Sequence, residues 1–180
     1  MHGFTITELL MAIIVLGILA SVSLSYFERS WKREQLKLSA KTVETLLENA
    51  RVTAIHTSQT CKLLINDGNT SIEPASVGND CSELTTLNVR TDIDFGSNII
   101  ICSRESFDES SDIFQCNGTH SNPDGTEITF TPRGTTVSNA LIKLSLPSYE
   151  QLHCVAVTTP LGLIRHGVDK GEGCNFKTAA

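Results

Sequence analysis

The chain has 180 residues, which is room for one globular domain and one additional segment but not for two full domains. Charged residues make up 19% and aromatic residues 6% of the sequence, and the formal net charge is −6 at pH 7. This acidic balance excludes a broad basic surface of the kind that binds nucleic acid, although it is compatible with a local basic patch.

The N-terminal segment, residues 4–27, is largely apolar and carries one charged residue, Glu8. As a helix it would be about 36 Å long, which is enough to span a bilayer, and we therefore predict a transmembrane helix here. A cleaved secretory signal would need a basic start and a shorter apolar core. A plain single-pass anchor fits the length but does not explain an acidic residue near its beginning.

Glu8 is the informative residue of this segment, because an unpaired charge in hydrocarbon costs about 3 kcal/mol. A partner for Glu8 would arise if the chain were cut between Gly3 and Phe4. The new α-amine of Phe4 would then be a cation close to the carboxylate in the same chain. The amine of a neighbouring subunit could pair with the same carboxylate when helices stack.

The run from Gly3 to Leu10, GFTITELL, resembles the prepilin processing motif of type IV pilins and type II secretion pseudopilins, and this resemblance covers residues 1–27. It implies that a prepilin peptidase cuts after Gly3, removes residues 1–3 as a leader and methylates the amine of Phe4. It also implies that Glu8 sets the registry of subunits in a filament.

Five basic residues follow the apolar segment: Arg29, Lys32, Arg33, Lys37 and Lys41. By the positive-inside rule alone, they would place the following domain in the cytoplasm. The processing motif and the cysteines of that domain favour the periplasm instead, so we predict a periplasmic head. The leader lacks the Lys or Arg that such leaders usually carry, and a start codon upstream of Met1 would remove the conflict.

An amphipathic helix is predicted over residues 28–58, because no proline occurs before Pro74. Apolar residues recur there at spacings of three and four: Leu36, Ala40, Val43, Leu47, Ala50 and Ala54. This stripe predicts that the helix packs against the chain's own sheet.

Residues 59–180 are predicted to form a β-rich head. Residues 61–66 and 70–73 flank Asp67-Gly68-Asn69 and predict a hairpin with an Asp-Gly turn. Further short runs typical of strands are 83–89, 99–103, 127–131, 140–146, 153–158 and 162–166. The acidic, Ser/Asn-rich stretch 105–125 predicts a loop.

All six cysteines lie in the head: Cys61, Cys81, Cys102, Cys116, Cys154 and Cys174. None forms the close CxxC pair that zinc sites usually contain, so we predict disulfides in an oxidising compartment. Buried free thiols are the alternative, and the sequence does not choose among the disulfide connectivities.

No motif of a hydrolase, metalloprotease or nucleotide-binding loop is present, and we predict no catalytic residue, no cofactor and no metal site. The histidines His56, His120, His153 and His166 are scattered, without a second histidine at i+4. His153 precedes Cys154, but adjacent residues of a strand point to opposite faces, which argues against a Cys–His dyad. The acidic residues Asp108, Glu109, Asp112 and Asp124 fit a solvated loop better than a calcium site.

Three segments resemble the H-type (GspH/FimT) branch of the pseudopilins: Ala50-Arg51 in the amphipathic helix, and residues 130–134 and 154–165 in the head. This resemblance implies a β-sandwich of two small sheets packed on the helix. Some FimT-like members bind DNA through a Gly-Arg-x-Arg motif, and residues 162–165 here read Gly-Leu-Ile-Arg, with leucine replacing the first arginine. The basic residues Arg165, Lys170 and Lys177 are therefore candidate DNA contacts.

The sequence thus predicts an α+β protein, with a long N-terminal helix packed on a small β-sandwich head. The predicted function is that of a non-enzymatic minor pilin or pseudopilin, assembling into a type IV pilus or a type II secretion pseudopilus. A DNA-binding minor pilin for DNA uptake is the alternative. The predicted location is the inner membrane, single-pass with a periplasmic head, and the predicted partners are prepilin peptidase and other pilins or pseudopilins.

Overall fold

A computed structural model describes residues 5–66, 71–75, 81, 84, 86–88, 99–105, 116, 125–147, 149–171 and 173–176, without the side chains of residues 20–26, 88 and 149. Contacts within the chain divide it into two compact units, Met1–Glu34 and Gln35–Ala180. One helix, α1 (Ile6–Thr57), contributes to both units.

The first unit contains the N-terminal part of α1. Over the stretch from Ile6 to Leu19 the large apolar side chains are exposed. Within the residues that the structure describes, no helix combines the length and the apolarity needed to cross a membrane. The predicted transmembrane helix over residues 4–27 is therefore not confirmed.

The second unit contains the C-terminal part of α1, and here the predicted apolar stripe is confirmed. Its six members are at most 1% exposed: Leu36, Ala40, Val43, Leu47, Ala50 and Ala54. They belong to the same hydrophobic core as residues from the strands, so this part of the helix packs on the β-sheet head. The helix ends where Ser58 adopts a left-handed conformation with φ of 55°.

The first sheet has four strands in the order β3-β2-β1-β5. Its strands are β1 (Cys61–Asn66), β2 (Ser71–Pro74), β3 (Leu87–Asn88) and β5 (Thr126–Phe130). The predicted hairpin is confirmed, because Asn66 pairs with Ser71 in an antiparallel register. Its Asp67-Gly68-Asn69 turn lies outside the described residues.

The second sheet has five strands in the order β4-β6-β7-β8-β9. Its strands are β4 (Ile100–Glu105), β6 (Ala140–Leu146), β7 (Tyr149–Thr158), β8 (Leu163–Asp169) and β9 (Cys174–Asn175). Neighbouring strands of this sheet pair in the antiparallel direction. The strand β9 was not predicted, and β7 begins before the predicted residue 153.

One hydrophobic core joins the helix and both sheets, with Phe130 of the first sheet and Ile142 and Val155 of the second sheet fully buried in it. The α+β class, with a long helix packed on a β-sheet head, is confirmed. The sandwich arrangement of the two sheets stays a prediction, and the predicted loop over 105–125 lies mostly outside the described residues.

The face of the second sheet that points away from this core is also covered. Leu141, Cys154 and Ala156 form a second cluster there, against which Cys174 and Phe176 of the C-terminal segment pack. As a result every residue of β6 is buried, on both faces of the sheet. A strand covered on one face alone would alternate between buried and exposed residues.

Candidate assembly site

The first turn of α1 is closed by Thr5. The backbone N–H of Glu8 donates to the carbonyl of Thr5 over 3.1 Å and lies 3.4 Å from the Thr5 hydroxyl oxygen. Thr5 and Glu8 have the spacing of a capping box, in which a threonine begins a helix and a glutamate stands at its third position. A carboxylate in the first turn also interacts favourably with the helix dipole. Thr5 therefore caps α1, and the Thr-x-x-Glu pattern of the sequence already places Glu8 in the first turn.

Glu8 is exposed, as are its apolar neighbours along α1. Ten apolar side chains of this stretch are between 53% and 82% exposed: Ile6, Leu9, Leu10, Met11, Ile13, Ile14, Val15, Leu16, Ile18 and Leu19. Because they occupy nearly consecutive positions, they surround the helix instead of forming one stripe. Such a surface is stable only when other helices or lipid cover it. The predicted cleavage site between Gly3 and Phe4 lies outside the described residues.

The six cysteines form three disulfides, and each disulfide joins two cysteines that follow one another in the sequence: Cys61–Cys81, Cys102–Cys116 and Cys154–Cys174. The predicted disulfides are therefore confirmed, and the structure supplies the connectivity that the sequence left open. Each bond starts at a residue of a strand, Cys61 on β1, Cys102 on β4 and Cys154 on β7, and joins it to a cysteine 14 or 20 residues later. Loop closure of this size stabilises the fold by roughly 3 kcal/mol for each bond.

A buried ion pair lies on the outer face of the second sheet. Nζ of Lys143 on β6 lies 2.8 Å from Oδ2 of Asp169 on β8, and their side chains are 0% and 4% exposed. Burial raises the pKa of Asp169, but the hydrogen bonds from Lys143, Gly171 N–H and Gly173 N–H outweigh it, so the net pKa lies below its usual value. The Asp169 carboxylate is thus ionised at neutral pH and satisfied by hydrogen bonds.

The segments that carry the resemblance to the H-type branch meet in space. Arg51 of α1 donates from Nε to the carbonyl of Gly134 over 3.0 Å and from Nη2 to the carbonyl of Leu161 over 3.3 Å. Gly162 has φ of +61°, and a Cβ there would lie 2.6 Å from the Gly134 carbonyl oxygen. Arg51 therefore holds the loop after β5 and the turn between β7 and β8 against the helix. These residues explain the local fold and do not form a catalytic arrangement.

The candidate DNA contacts lie in different surroundings. Arg165 lies on β8, half-buried, with its guanidinium carbon 5.2 Å from the centroid of the Phe176 ring. Lys170 follows β8 and is exposed, whereas Lys177 lies outside the described residues. The cation–π contact gives Arg165 a structural role in holding the C-terminal segment on the sheet.

Two histidines that are far apart in the sequence meet across β7 and β8. Nδ1 of His153 lies 2.9 Å from Nε2 of His166, and the ring planes are nearly parallel, with centroids 5.1 Å apart. Burial is the main cause that lowers the pKa of His166, with Lys41 and Lys37 acting in the same direction and Glu44 against them. The register of the β7–β8 hairpin, which pairs Val155 with His166, would have revealed this contact. Cys154 is held in a disulfide and offers no thiolate, in agreement with the rejected Cys–His dyad.

Together, these features define an α+β protein whose helix begins with an exposed apolar stretch and continues into a disulfide-bonded β-sheet head. The chain is similar to the type IV minor pilin FimU of Pseudomonas aeruginosa in a crystal structure of space group P21. The TM-score is 0.51 at 11% sequence identity, over 79% of this chain and 94% of that one.

A second crystal form of FimU, in space group P65, gives a TM-score of 0.48 at 12% identity, over 78% of this chain and 97% of that one. No family model matches the chain, and no curated protein matches its sequence. At such low identity the likeness shows the fold alone. The chain has a type IV pilin-like fold.

Proposed function

We propose that the chain is a non-enzymatic minor subunit of a type IV pilus, and that it assembles through the N-terminal part of α1. The observation that carries this proposal is the exposed apolar surface between Ile6 and Leu19, which surrounds the helix completely. An isolated chain cannot cover this surface itself. Packing among the corresponding helices of other subunits would cover all sides of it at once.

Glu8 gives this packing a preferred register. Its carboxylate is surrounded in sequence by Ile6, Leu9 and Leu10, so a helix bundle that buries them also removes Glu8 from water. A buried carboxylate without a cationic partner is costly, and a cut between Gly3 and Phe4 would create such a partner in every subunit. An arrangement that brings the Phe4 amine of one subunit to Glu8 of the next is therefore favoured over neighbouring registers.

Before assembly, the same surface would be covered by lipid. We propose that the chain resides in the inner membrane with its head in the periplasm, where a prepilin peptidase processes it. The disulfides of the head support an oxidising compartment. The pilus is preferred over a secretion pseudopilus because the similar structure is described as a type IV minor pilin. A β-sandwich head of the H-type (GspH/FimT) branch is the finer form of this proposal.

No observation in the described residues favours the DNA-binding alternative. The chain has a net charge of −6, and Arg165 already packs on Phe176. This alternative stays a prediction, which a gel shift of the protein with and without Arg165→Ala at low salt would test.

The experiment that tests the proposed function compares two acidic residues of the same helix. The chain is expressed with Glu8→Ala or with Glu28→Ala, and surface filaments are sheared off and probed for it. Glu28 is the matched control, because its side chain is exposed and pairs with Lys32 within the same helix. We expect the wild type and Glu28→Ala in the filament fraction, and Glu8→Ala retained with the cells. Equal incorporation of Glu8→Ala, or absence of the wild type from filaments, would contradict the proposal.

A further inference from the structure

Two imidazole rings meet on the face of the second sheet that packs toward α1. His153 is 4% exposed and His166 is half-buried. Both side chains project from the core-facing side of strands β7 and β8. Their nearest nitrogens, Nδ1 of His153 and Nε2 of His166, are 2.9 Å apart. In the absence of a metal, one ring donates its N–H to the other, which requires at least one neutral ring.

We propose that His153 and His166 form a binding site for one divalent transition-metal ion, of the class of Zn²⁺ or Cu²⁺. Imidazole nitrogen is the commonest protein ligand for these ions. Two nitrogens bound to a tetrahedral ion at ~2.0–2.1 Å are roughly 3.3 Å from each other. Binding therefore requires the separation to open by a few tenths of an ångström and both rings to turn until their lone pairs converge on the ion, which takes the place of the shared proton.

The two ligands are held in place by the hairpin. In the register of β7 and β8, Val155 pairs with His166 and His153 pairs with Val168, so the two histidines are diagonal neighbours on one face. Side chains in this relationship are within reach of each other. A pre-formed pair of ligands loses little conformational freedom on binding a metal, which favours a chelate over two independent sites.

The charges around the pair come from α1. Glu44, Lys41 and Lys37 all interact electrostatically with His166, and Glu44 also pairs with Lys41 over 3.0 Å. The carboxylate of Glu44 favours a cation at the site through its charge, whereas the two lysines oppose it. Water would complete the coordination. A bound ion would link β7 to β8 and stabilise the head.

A second group of potential metal ligands does not form a metal site. Among the described residues, Cys154, Asp169 and Cys174 place one ligand atom each within 4.8 Å of one another. The two sulfurs are bonded to each other, and Asp169 is paired with Lys143. This group is therefore a structural cluster.

The test is a titration of the full-length chain in detergent with Zn²⁺, followed by calorimetry and by the thermal unfolding midpoint. All proteins carry His2→Gln, because an N-terminal amine next to a histidine binds metal by itself. We expect one saturable equivalent and a rise in the unfolding midpoint. His166→Gln should weaken binding at least ~10-fold, by analogy with the loss of groups that support metal ligands. His56→Gln, in an exposed position at the end of α1, should leave it unchanged.

The role of Glu44 is tested by Glu44→Gln against Glu48→Gln, a matched acid one turn further along α1. We expect weaker Zn²⁺ binding for the first variant and wild-type binding for the second. If His166→Gln does not fold, the electron paramagnetic resonance spectrum of the wild type with one equivalent of Cu²⁺ decides, and should show two coordinated imidazole nitrogens. Absence of saturable binding, equal binding by His166→Gln, or a spectrum without two imidazole nitrogens would overturn the proposal.

Discussion

Lys143 and Asp169 form a fully buried ion pair that joins β6 to β8 across the intervening strand β7, with 2.8 Å between Nζ and Oδ2. The other carboxylate oxygen of Asp169 accepts the N–H groups of Gly171 and Gly173 over 2.7 and 3.1 Å. One side chain thus fixes both the sheet and the turn that leads to β9. The covered outer face of the sheet depends on this pair and on the Cys154–Cys174 disulfide beside it.

We expect Asp169→Asn to lower the free energy of unfolding by about 3–5 kcal/mol, because it leaves the Lys143 ammonium buried without its countercharge. The double variant Lys143→Met/Asp169→Asn should recover most of this loss, since asparagine keeps an acceptor for the glycine N–H groups. Urea unfolding measures both. Lys62→Met is the control: it breaks the partly exposed Lys62–Glu127 pair and should cost less than about 1 kcal/mol. Equal losses for Asp169→Asn and Lys62→Met would contradict this account of the pair.

The same pair predicts a dependence of stability on acid pH. The pKa of Asp169 lies below the ordinary 3.8, because the hydrogen bonds from Lys143 and the glycines outweigh the effect of burial. The unfolded chain therefore binds the proton first, and the stabilisation is complete above pH ~3.8 and lost as the pH falls through the folded-state pKa. Unfolding free energies measured from pH 5 to pH 2 should fall less steeply for the double variant than for the wild type. Parallel curves would show that Asp169 does not contribute to the slope.

We expect that no other residue can replace Gly162, because a Cβ would clash with a neighbouring atom and because its φ is positive. Gly162→Ala places a Cβ 2.6 Å from the Gly134 carbonyl oxygen at a positive φ, and should disrupt the turn that Arg51 holds. Gly171→Ala is the control, with φ of +100° but no atom within 4 Å of its Cβ. We expect Gly162→Ala to lower stability by about 2 kcal/mol or more, and by more than Gly171→Ala. Thermal unfolding would measure the difference, and an equal effect of both would show that the close approach is unimportant.

Removal of the Cys154–Cys174 disulfide should destabilise the head by about 3 kcal/mol. The two cysteines are 20 residues apart in the sequence, and their bond holds β9 and Phe176 over the sheet. Cys154→Ala/Cys174→Ala should therefore lower the unfolding midpoint and speed amide hydrogen exchange of β9 and of Arg165. Exchange in β1, on the other sheet, serves as the internal control. Uniformly faster exchange over the head would indicate a global effect in place of the local one.

The helix and most strands could be predicted from the sequence because their patterns are local. The stripe from Leu36 to Ala54 has the helical period, and the runs at 61–66 and 140–146 coincide with β1 and β6. The strand β9 could not be predicted, since it has only two residues and depends on pairing with Val168 and Asp169 and on a disulfide. The burial of Lys143 also depends on the covering C-terminal segment, which no local pattern shows.

The candidate sites also differ in whether a local sequence pattern reveals them. Glu8 was recognisable because it is the only charge in an apolar run, and its capping partner Thr5 stands three residues before it. The contact between His153 and His166 was not recognisable, because it depends on the register across the β7–β8 turn. The connectivity of the cysteines was unpredictable for the same reason.

The most direct test of the account is the mass of the mature N-terminal peptide of the protein isolated from its native cells. We predict a mature chain that begins with N-methylated Phe4 and carries Glu8 as its fifth residue. Tandem mass spectrometry would identify both the terminus and the methyl group. A mature chain that still contains Gly3 and the residues before it would contradict assembly through a processed N-terminal helix.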